Sequence, residues 1–254
     1  MPAKKMKQFL ITAMLLVSGC SNNANSTAPL PALVTPDVIL SDCNNALFPI
    51  KLGASWTYFS SGGPNGDFTY TDTITEFQSG SFTLTSTFPS LTLTQKWICT
   101  PEGLVAQQLG GGTIGSISMQ NMIADFTTLA VRGVSLPREL TAGQQWEYNL
   151  SMVGSVAMPG EQSQSPGTFT LTMSNLASES VTVPAGTFDA VKIQAVFNAQ
   201  INIDFQGSAV PYAINGSSIL WYAPGVGYIK SIENIDFSGT PFTSTTELQT
   251  YSIP

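Results

Sequence analysis

From Trp56 onward, apolar and polar residues alternate with a period of two. Trp56 and Tyr58 share one face, and Phe82, Leu84 and Ser86 another. Trp146, Tyr148, Leu150 and Met152 occupy alternate positions, and Val191, Ile193, Ala195 and Phe197 alternate with Lys192, Gln194 and Asn198. Side chains two apart point to the same side of an extended chain, so this pattern predicts half-buried β-strands. Turn chemistry separates them. Pro64-Asn65-Gly66-Asp67, Pro101-Glu102-Gly103 and Pro184-Ala185-Gly186 each combine a fixed proline φ with a residue tolerant of positive φ. Short strands are expected at 68–77, 82–88, 91–99, 168–173 and 181–183, led in by Leu47–Leu52. Residues 107–135 are least regular: Gly110-Gly111-Gly112 reads as a loop, and Met119–Arg132 as a short helix or another strand.

The pattern also repeats. Gly53-Ala54-Ser55-Trp56-Thr57-Tyr58 recurs as Gly143-Gln144-Gln145-Trp146-Glu147-Tyr148. Gly80-Ser81-Phe82 recurs as Gly186-Thr187-Phe188, and the interval from Trp97 to Gly103 recurs from Trp221 to Gly227. Phe48-Pro49-Ile50-Lys51-Leu52 is echoed by Leu136-Pro137-Arg138-Glu139-Leu140. All four tryptophans fall at these marks. One β-unit used twice is the reading, with halves at 43–135 and 136–254 in one continuous domain. The expected fold is all-β, a strongly twisted antiparallel meander curved towards a half-barrel. A smaller echo, Asn202–Gly207 and Asn234–Gly239, reads as two strand ends with polar outer faces. Calcium is the alternative there, but no dense acidic loop accompanies it.

The N-terminus has the form of an export signal. Lys4, Lys5 and Lys7 precede an apolar run, Phe9–Val17, too short to span a bilayer. Leu16-Val17-Ser18-Gly19-Cys20 then resembles the bacterial lipobox, whose cysteine receives palmitate-like acyl chains and becomes residue one. The expected division is a lipoprotein signal peptide at 1–19 and a lipid anchor and tether at 20–42, the tether rich in Ser, Asn, Ala, Thr and Pro. Each buried methylene of the lipid contributes about 0.8 kcal/mol, and more than one chain makes the anchor stable. The membrane is therefore the expected partner, and the cell envelope the expected place. Ser21 implies the outer membrane if the cell has two, and otherwise the outer face of the cell membrane. With Cys20 lipidated, Cys43 and Cys99 remain as a pair, and an oxidising compartment makes a disulfide the expectation.

Composition narrows the chemistry. Nine Lys plus Arg face sixteen Asp plus Glu, for a net charge of −7, and the leader would remove three of the basic residues. No nucleic-acid partner is expected of so acidic a chain. There is no histidine, which excludes Ser-His-Asp and Cys-His catalysis and the usual zinc sites. No cofactor or metal is expected. Paired carboxylates need only two acids at suitable separation, so a carboxylate-dependent hydrolase stays open, although no segment gathers acids and aromatics as a sugar cleft would. Trp56, Trp97, Trp146 and Trp221 read either as core and corner residues or as the face of a ligand cavity.

Val181-Thr182-Val183-Pro184-Ala185-Gly186-Thr187-Phe188 with Lys192, followed by Trp221-Tyr222-Ala223-Pro224-Gly225-Val226-Gly227 with Lys230, resembles a pattern recurrent in uncharacterised bacterial secreted lipoproteins. Pro49, Gly53, Trp56 and Tyr58 fit it too. The resemblance implies a strongly curved antiparallel sheet, distantly like the half-barrels of periplasmic lipoprotein carriers, and transfers no catalytic residue. Three functions follow as expectations: a binding or carrier module for an apolar or glycan ligand, a structural lipoprotein that holds envelope-protein partners, and, behind both, a hydrolase.

Overall fold

A computed structural model describes residues 43–64, 66–108, 123–158, 161–205, 208–237 and 239–254. The leader 1–19, Cys20, the tether 20–42, the Gly110–Gly112 run and Asn65 of the first expected turn lie outside the described residues. Thirteen strands, and no helix among the described residues, form a single antiparallel sheet. In chain order they are β1 (Ser55–Ser61), β2 (Phe68–Gln78), β3 (Ser81–Thr87), β4 (Thr92–Cys99) and β5 (Gly103–Ala106), followed by β6 (Ile123–Gly133) and β7 (Leu136–Pro137). The rest are β8 (Gln145–Met158), β9 (Glu161–Val183), β10 (Gly186–Phe205), β11 (Ser208–Ala223), β12 (Gly227–Phe237) and β13 (Thr240–Ser252). Across the sheet the order is β6-β8-β9-β10-β11-β12-β13-β1-β2-β3-β4-β5-β7.

The two end strands, β6 and β7, are separated in the chain by only Val134 and Ser135. Val134 N–H donates to Glu147 O at 3.2 Å, against β8, and Ser135 N–H donates to Leu104 O at 2.8 Å, against β5. The sheet therefore curls until its ends meet at this level, which is the curvature a half-barrel requires. Gly103 permits the approach. Its φ of 151° suits glycine, and a Cβ there would lie 2.3 Å from Leu136 O.

Each sequence half runs through the sheet the same way. β1–β5 and β8–β12 are both simple meanders, and the repeated marks fall at matching places. Trp56 and Trp146 are each the second residue of their unit's first strand. Gly80 and Gly186 sit at the second turn, and Gly103 and Gly227 open the fifth strand. β13 pairs with β1 as β6 pairs with β8.

One local expectation is corrected and two are made specific. The strands of the second half are long, with 23 residues in β9 and 20 in β10, so the segments expected at 168–173 and 181–183 are one strand. The polar run Ser174–Ser180 breaks the apolar alternation, but its backbone stays in the ladder through a bulge at Lys192/Ile193. Of the two alternatives left open for Met119–Arg132, the described part, residues 123–133, takes the strand, paired along β8. Finally, Leu47–Leu52 leads into β1 as expected, and it does so as an irregular plug whose Phe48 ring packs on Trp56.

Candidate functional site

The alternating inner positions of the curled sheet enclose a cavity of about 240 Å³. β1 contributes Trp56 and Tyr58, β2 contributes Tyr70 and Asp72, and β4 contributes Gln95 and Trp97. The opposite wall is Tyr148 from β8 with Phe169, Leu171 and Met173 from β9. Leu220 and Tyr222 of β11, with Tyr228 and Glu233 of β12, complete the enclosure. Most of these follow from period-two geometry, since one face of a strand is turned inward, and the bulge on β12 lets Tyr228 and Glu233, five residues apart, both line the cavity.

Phe48 closes one end. Its ring stacks on Trp56, Phe82 and Trp97 with centroids 5.3, 6.0 and 6.3 Å away. Asn45 shapes this plug: its carbonyl accepts from the Leu47 and Phe48 N–H groups, and its amide donates to Pro137 O at 2.8 Å. Trp56 Nε1 donates to Val226 O at 2.6 Å, tying the plug's neighbour to the β11–β12 turn. The Cys43–Cys99 disulfide, with Cα atoms 5.2 Å apart, fastens the start of the plug to the end of β4. In the chain-entropy picture such a loop contributes about 4 kcal/mol.

One wall carries an inward row of polar groups. Ser86 donates to the Asp72 carboxylate at 2.6 Å. Glu233 accepts from Ser231 at 3.5 Å and Ser244 at 3.4 Å, and Thr246 meets Ser60 at 3.2 Å. Tyr58 donates to Tyr228 O at 3.0 Å, and Tyr228 Oη lies 2.5 Å from Ser231 Oγ. The Tyr70 hydroxyl is buried with no hydrogen-bond partner. Desolvation dominates the electrostatics. It pushes the Asp72 carboxyl from 3.8 up to about 6, against the Ser86 hydrogen bond, which pulls it down. It raises Tyr222 to about 12, and Tyr58, Tyr70 and Tyr228 well above the ordinary phenol value.

Of the four tryptophans expected as a ligand face, the structure brings Trp56 and Trp97 to the cavity and leaves Trp146 and Trp221 off its lining. Trp146 is buried with its indole N–H unpartnered. Trp221 sits between Leu220 and Tyr222, whose side chains face inward, so strand alternation turns it the other way. Its indole N–H donates to Glu179 at 2.6 Å, and the Lys192 ammonium lies 5.5 Å from its ring centroid. The indole bond, and then Lys192, hold the Glu179 carboxyl below the usual range. This trio lies off the cavity lining, with Trp221 buried in the core and Lys192 and Glu179 partly exposed beside it. Residues on the lining that sequence reasoning did not single out are Tyr70, Asp72 and Glu233, which period two places on the same faces as the core.

Curved sheet, plug and aromatic cavity define a class: an all-β protein curled around a small, half-open cavity. The chain belongs to the DUF3108-like family, matched over residues 112–248, a stretch that contains both the 181–188 and 221–227 motifs. Two solved structures are similar to the chain, and the first shares its fold. One is a candidate exported protein with a YmcC-like fold from Bacteroides fragilis, 13% identical, with a TM-score of 0.51 over 82% of this chain and 100% of that one. The other is a candidate lipoprotein from Parabacteroides distasonis, 16% identical, with a TM-score of 0.49 over 84% of this chain and 100% of that one. At these identities the likeness concerns the fold alone. No curated protein matches the sequence significantly.

Proposed function

We propose that this chain is a lipid-anchored envelope protein whose curled sheet holds one small, largely apolar ligand. The observation that carries this reading is the 240 Å³ chamber, walled by Trp, Tyr, Phe and Leu side chains contributed from both halves of the sheet. Binding chambers are characteristically apolar enclosures with a few placed polar groups. Its size lies just below the usual range of roughly 300–1,000 Å³ for small-molecule sites and favours a compact ligand. The lipobox at Cys20 and the description of a structural neighbour as exported support the envelope location.

The test is native mass spectrometry of the full-length protein extracted from its host's membranes. A discrete small-molecule adduct is expected. A clean apo mass would transfer the case to the interaction reading, in which the sheet surface holds envelope proteins. Anchoring is checked separately: Cys20→Ser should move the protein out of the membrane fraction, and a variant that still floats with membranes would refute the anchor.

A hydrolase is the second reading, favoured by the two carboxylates, Asp72 and Glu233, that line one chamber. Asp72, with its raised pKa, has the character of a general acid. Turnover of a small glycoside that Asp72→Asn abolishes without abolishing binding would establish it.

A further inference from the structure

The two halves of the sheet place different chemistry at equivalent positions. Trp56 stands opposite Asp72 in the ladder, and its counterpart Trp146 stands opposite Met173. Tyr58 stands opposite Tyr70, and its counterpart Tyr148 stands opposite Leu171. The unit marks are kept, while Tyr-x-Asp lines one wall and Leu-x-Met the other. The chamber thus has an acidic, hydrogen-bonding wall and an apolar one.

Two neighbouring groups on the first wall keep hydrogen-bonding capacity to spare. Asp72 is 9% exposed, and the hydrogen bond its side chain accepts among the described residues comes from Ser86, to Oδ1. Glu233, by contrast, is already engaged by Ser231 and Ser244. Tyr70, two residues before Asp72 on the same face of β2, is 2% exposed, and its hydroxyl has no partner among the described residues. Three other lining tyrosines are satisfied: Tyr58 donates to Tyr228 O, Tyr148 donates to Ala106 O at 2.7 Å, and Tyr228 meets Ser231. Packing does not call for the Tyr70 hydroxyl. Its ring stacks on Tyr58 and Phe88 with centroids 5.1 and 4.9 Å away, contacts that a phenylalanine would make as well. A hydroxyl buried to this degree ordinarily has a partner, and going without one is destabilising.

Resting on the binding reading above, we infer that the chamber takes a compact neutral molecule with a hydroxyl head and an apolar body. The head donates its hydrogen to the Asp72 oxygen that Ser86 leaves open, and it accepts the Tyr70 O–H. The body lies against Phe169, Leu171 and Met173. A hydroxyl suits this pair because it carries one donor and two acceptor lone pairs. An ammonium has donors only, so it would give up its hydration and still leave the Tyr70 hydrogen unanswered. A carboxylate has acceptors only, and it would bring a second negative charge against Asp72. At roughly 30 Å³ per water-sized group, the chamber holds on the order of eight such groups, the size of benzyl alcohol.

The experiment uses four probes of about that size, benzyl alcohol, toluene, benzylammonium and benzoate. Each is titrated calorimetrically at pH 8 into the full-length protein in detergent, with free probe concentrations set by a detergent blank. A cavity that reads no head group prefers toluene, because benzyl alcohol must leave its hydroxyl's water behind. Here benzyl alcohol should bind at least about tenfold more tightly than toluene, and more tightly than either charged probe, since a site built to hydrogen-bond a hydroxyl rejects the analogue that lacks it. Tyr70→Phe should weaken benzyl alcohol severalfold, and Asp72→Leu at least about tenfold, because the hydrogen bond to the charged group is the stronger. Both variants should keep their affinity for toluene, which shows that the chamber is still formed. If toluene or a charged probe binds as tightly as benzyl alcohol, or if Tyr70→Phe leaves the preference over toluene intact, the hydroxyl assignment is overturned and the binding reading stands. If none of the four binds, both are overturned.

Discussion

Asp72 offers a quantitative test of whether the acidic wall is truly dry. Burial raises its carboxyl from 3.8 to about 6. Between those values the folded chain holds a proton that the unfolded chain has released. Stability rises with pH only where the unfolded state binds more protons, so here it falls as pH rises. The contribution is present in full below pH 3.8 and is lost as pH passes through about 6. At 1.36 kcal/mol per unit, the loss is about 3 kcal/mol, a large share of a typical domain's net stability. Asp72→Asn removes the titration while keeping an oxygen that can accept from Ser86. Urea denaturation of both proteins from pH 4 to pH 8, with the disulfide intact, is the assay. Subtracting the two stability curves cancels the other titrating groups. The difference should favour the variant by about 2–3 kcal/mol at pH 7, relative to their relation at pH 4. Parallel curves across that range would mean that Asp72 is hydrated when folded, and the argument for a dry acidic wall would fail.

Three further perturbations probe the scaffold. Phe48→Ala removes a half-buried ring that stacks on three aromatics, so it should cost about 2 kcal/mol, less than a fully buried phenylalanine, and increase acrylamide quenching of tryptophan fluorescence. Unchanged quenching would show that Phe48 does not close the chamber. Cys43→Ala should lower the urea-unfolding free energy by about 4 kcal/mol, and reductant should then have no further effect; a variant as stable as the wild type would show that the plug is held without the bond. Gly216→Ala should destabilise by about 1–3 kcal/mol, because its Cβ would lie 2.4 Å from the Phe197 ring and 2.8 Å from Asn234 O. A neutral result would mean that those groups have room to withdraw.

Much of the fold was legible because the inner faces are mostly apolar and the turns carry their own chemistry. Trp146, Tyr148, Leu150 and Met152 announce a strand, and Pro184-Ala185-Gly186 announces its turn. The pairing of Cys43 with Cys99 followed from having one even pair once Cys20 is set aside. Other features depend on partners distant in sequence. Ser174–Ser180 has no pattern of its own and is held extended by its neighbours in the sheet. Phe48 sits in a lead-in segment rich in apolar residues, and only the rings of Trp56, Phe82 and Trp97 make it a plug. The candidate site was hidden for a different reason. Asp72 and Glu233 lie two residues before Ile74 and Ile235, on inward positions where alternation predicts an apolar residue. The signal was present, as a polar residue breaking an apolar register, but such breaks are weak evidence until the strands are assembled. The tryptophans were conspicuous instead, and two of them line the chamber while two do not.

The two halves show which residues a sheet of this kind requires and which it leaves open. Trp56 and Trp146, Tyr58 and Tyr148, and Gly103 and Gly227 are the same residue types at equivalent places. Two of them have visible structural duties: Trp56 hydrogen-bonds Val226 O, and Gly103 lets β5 approach β7. Positions 72 and 173, and 70 and 171, face the chamber and carry no such duty, so their chemistry differs. Divergence at these sites is also constrained by electrostatics. Two carboxylates already share about 240 Å³, and acids on both walls would place further like charges in the same dry volume, with each opposing the ionisation of the others. A chamber built from a repeated unit therefore carries buried charge economically on one wall only.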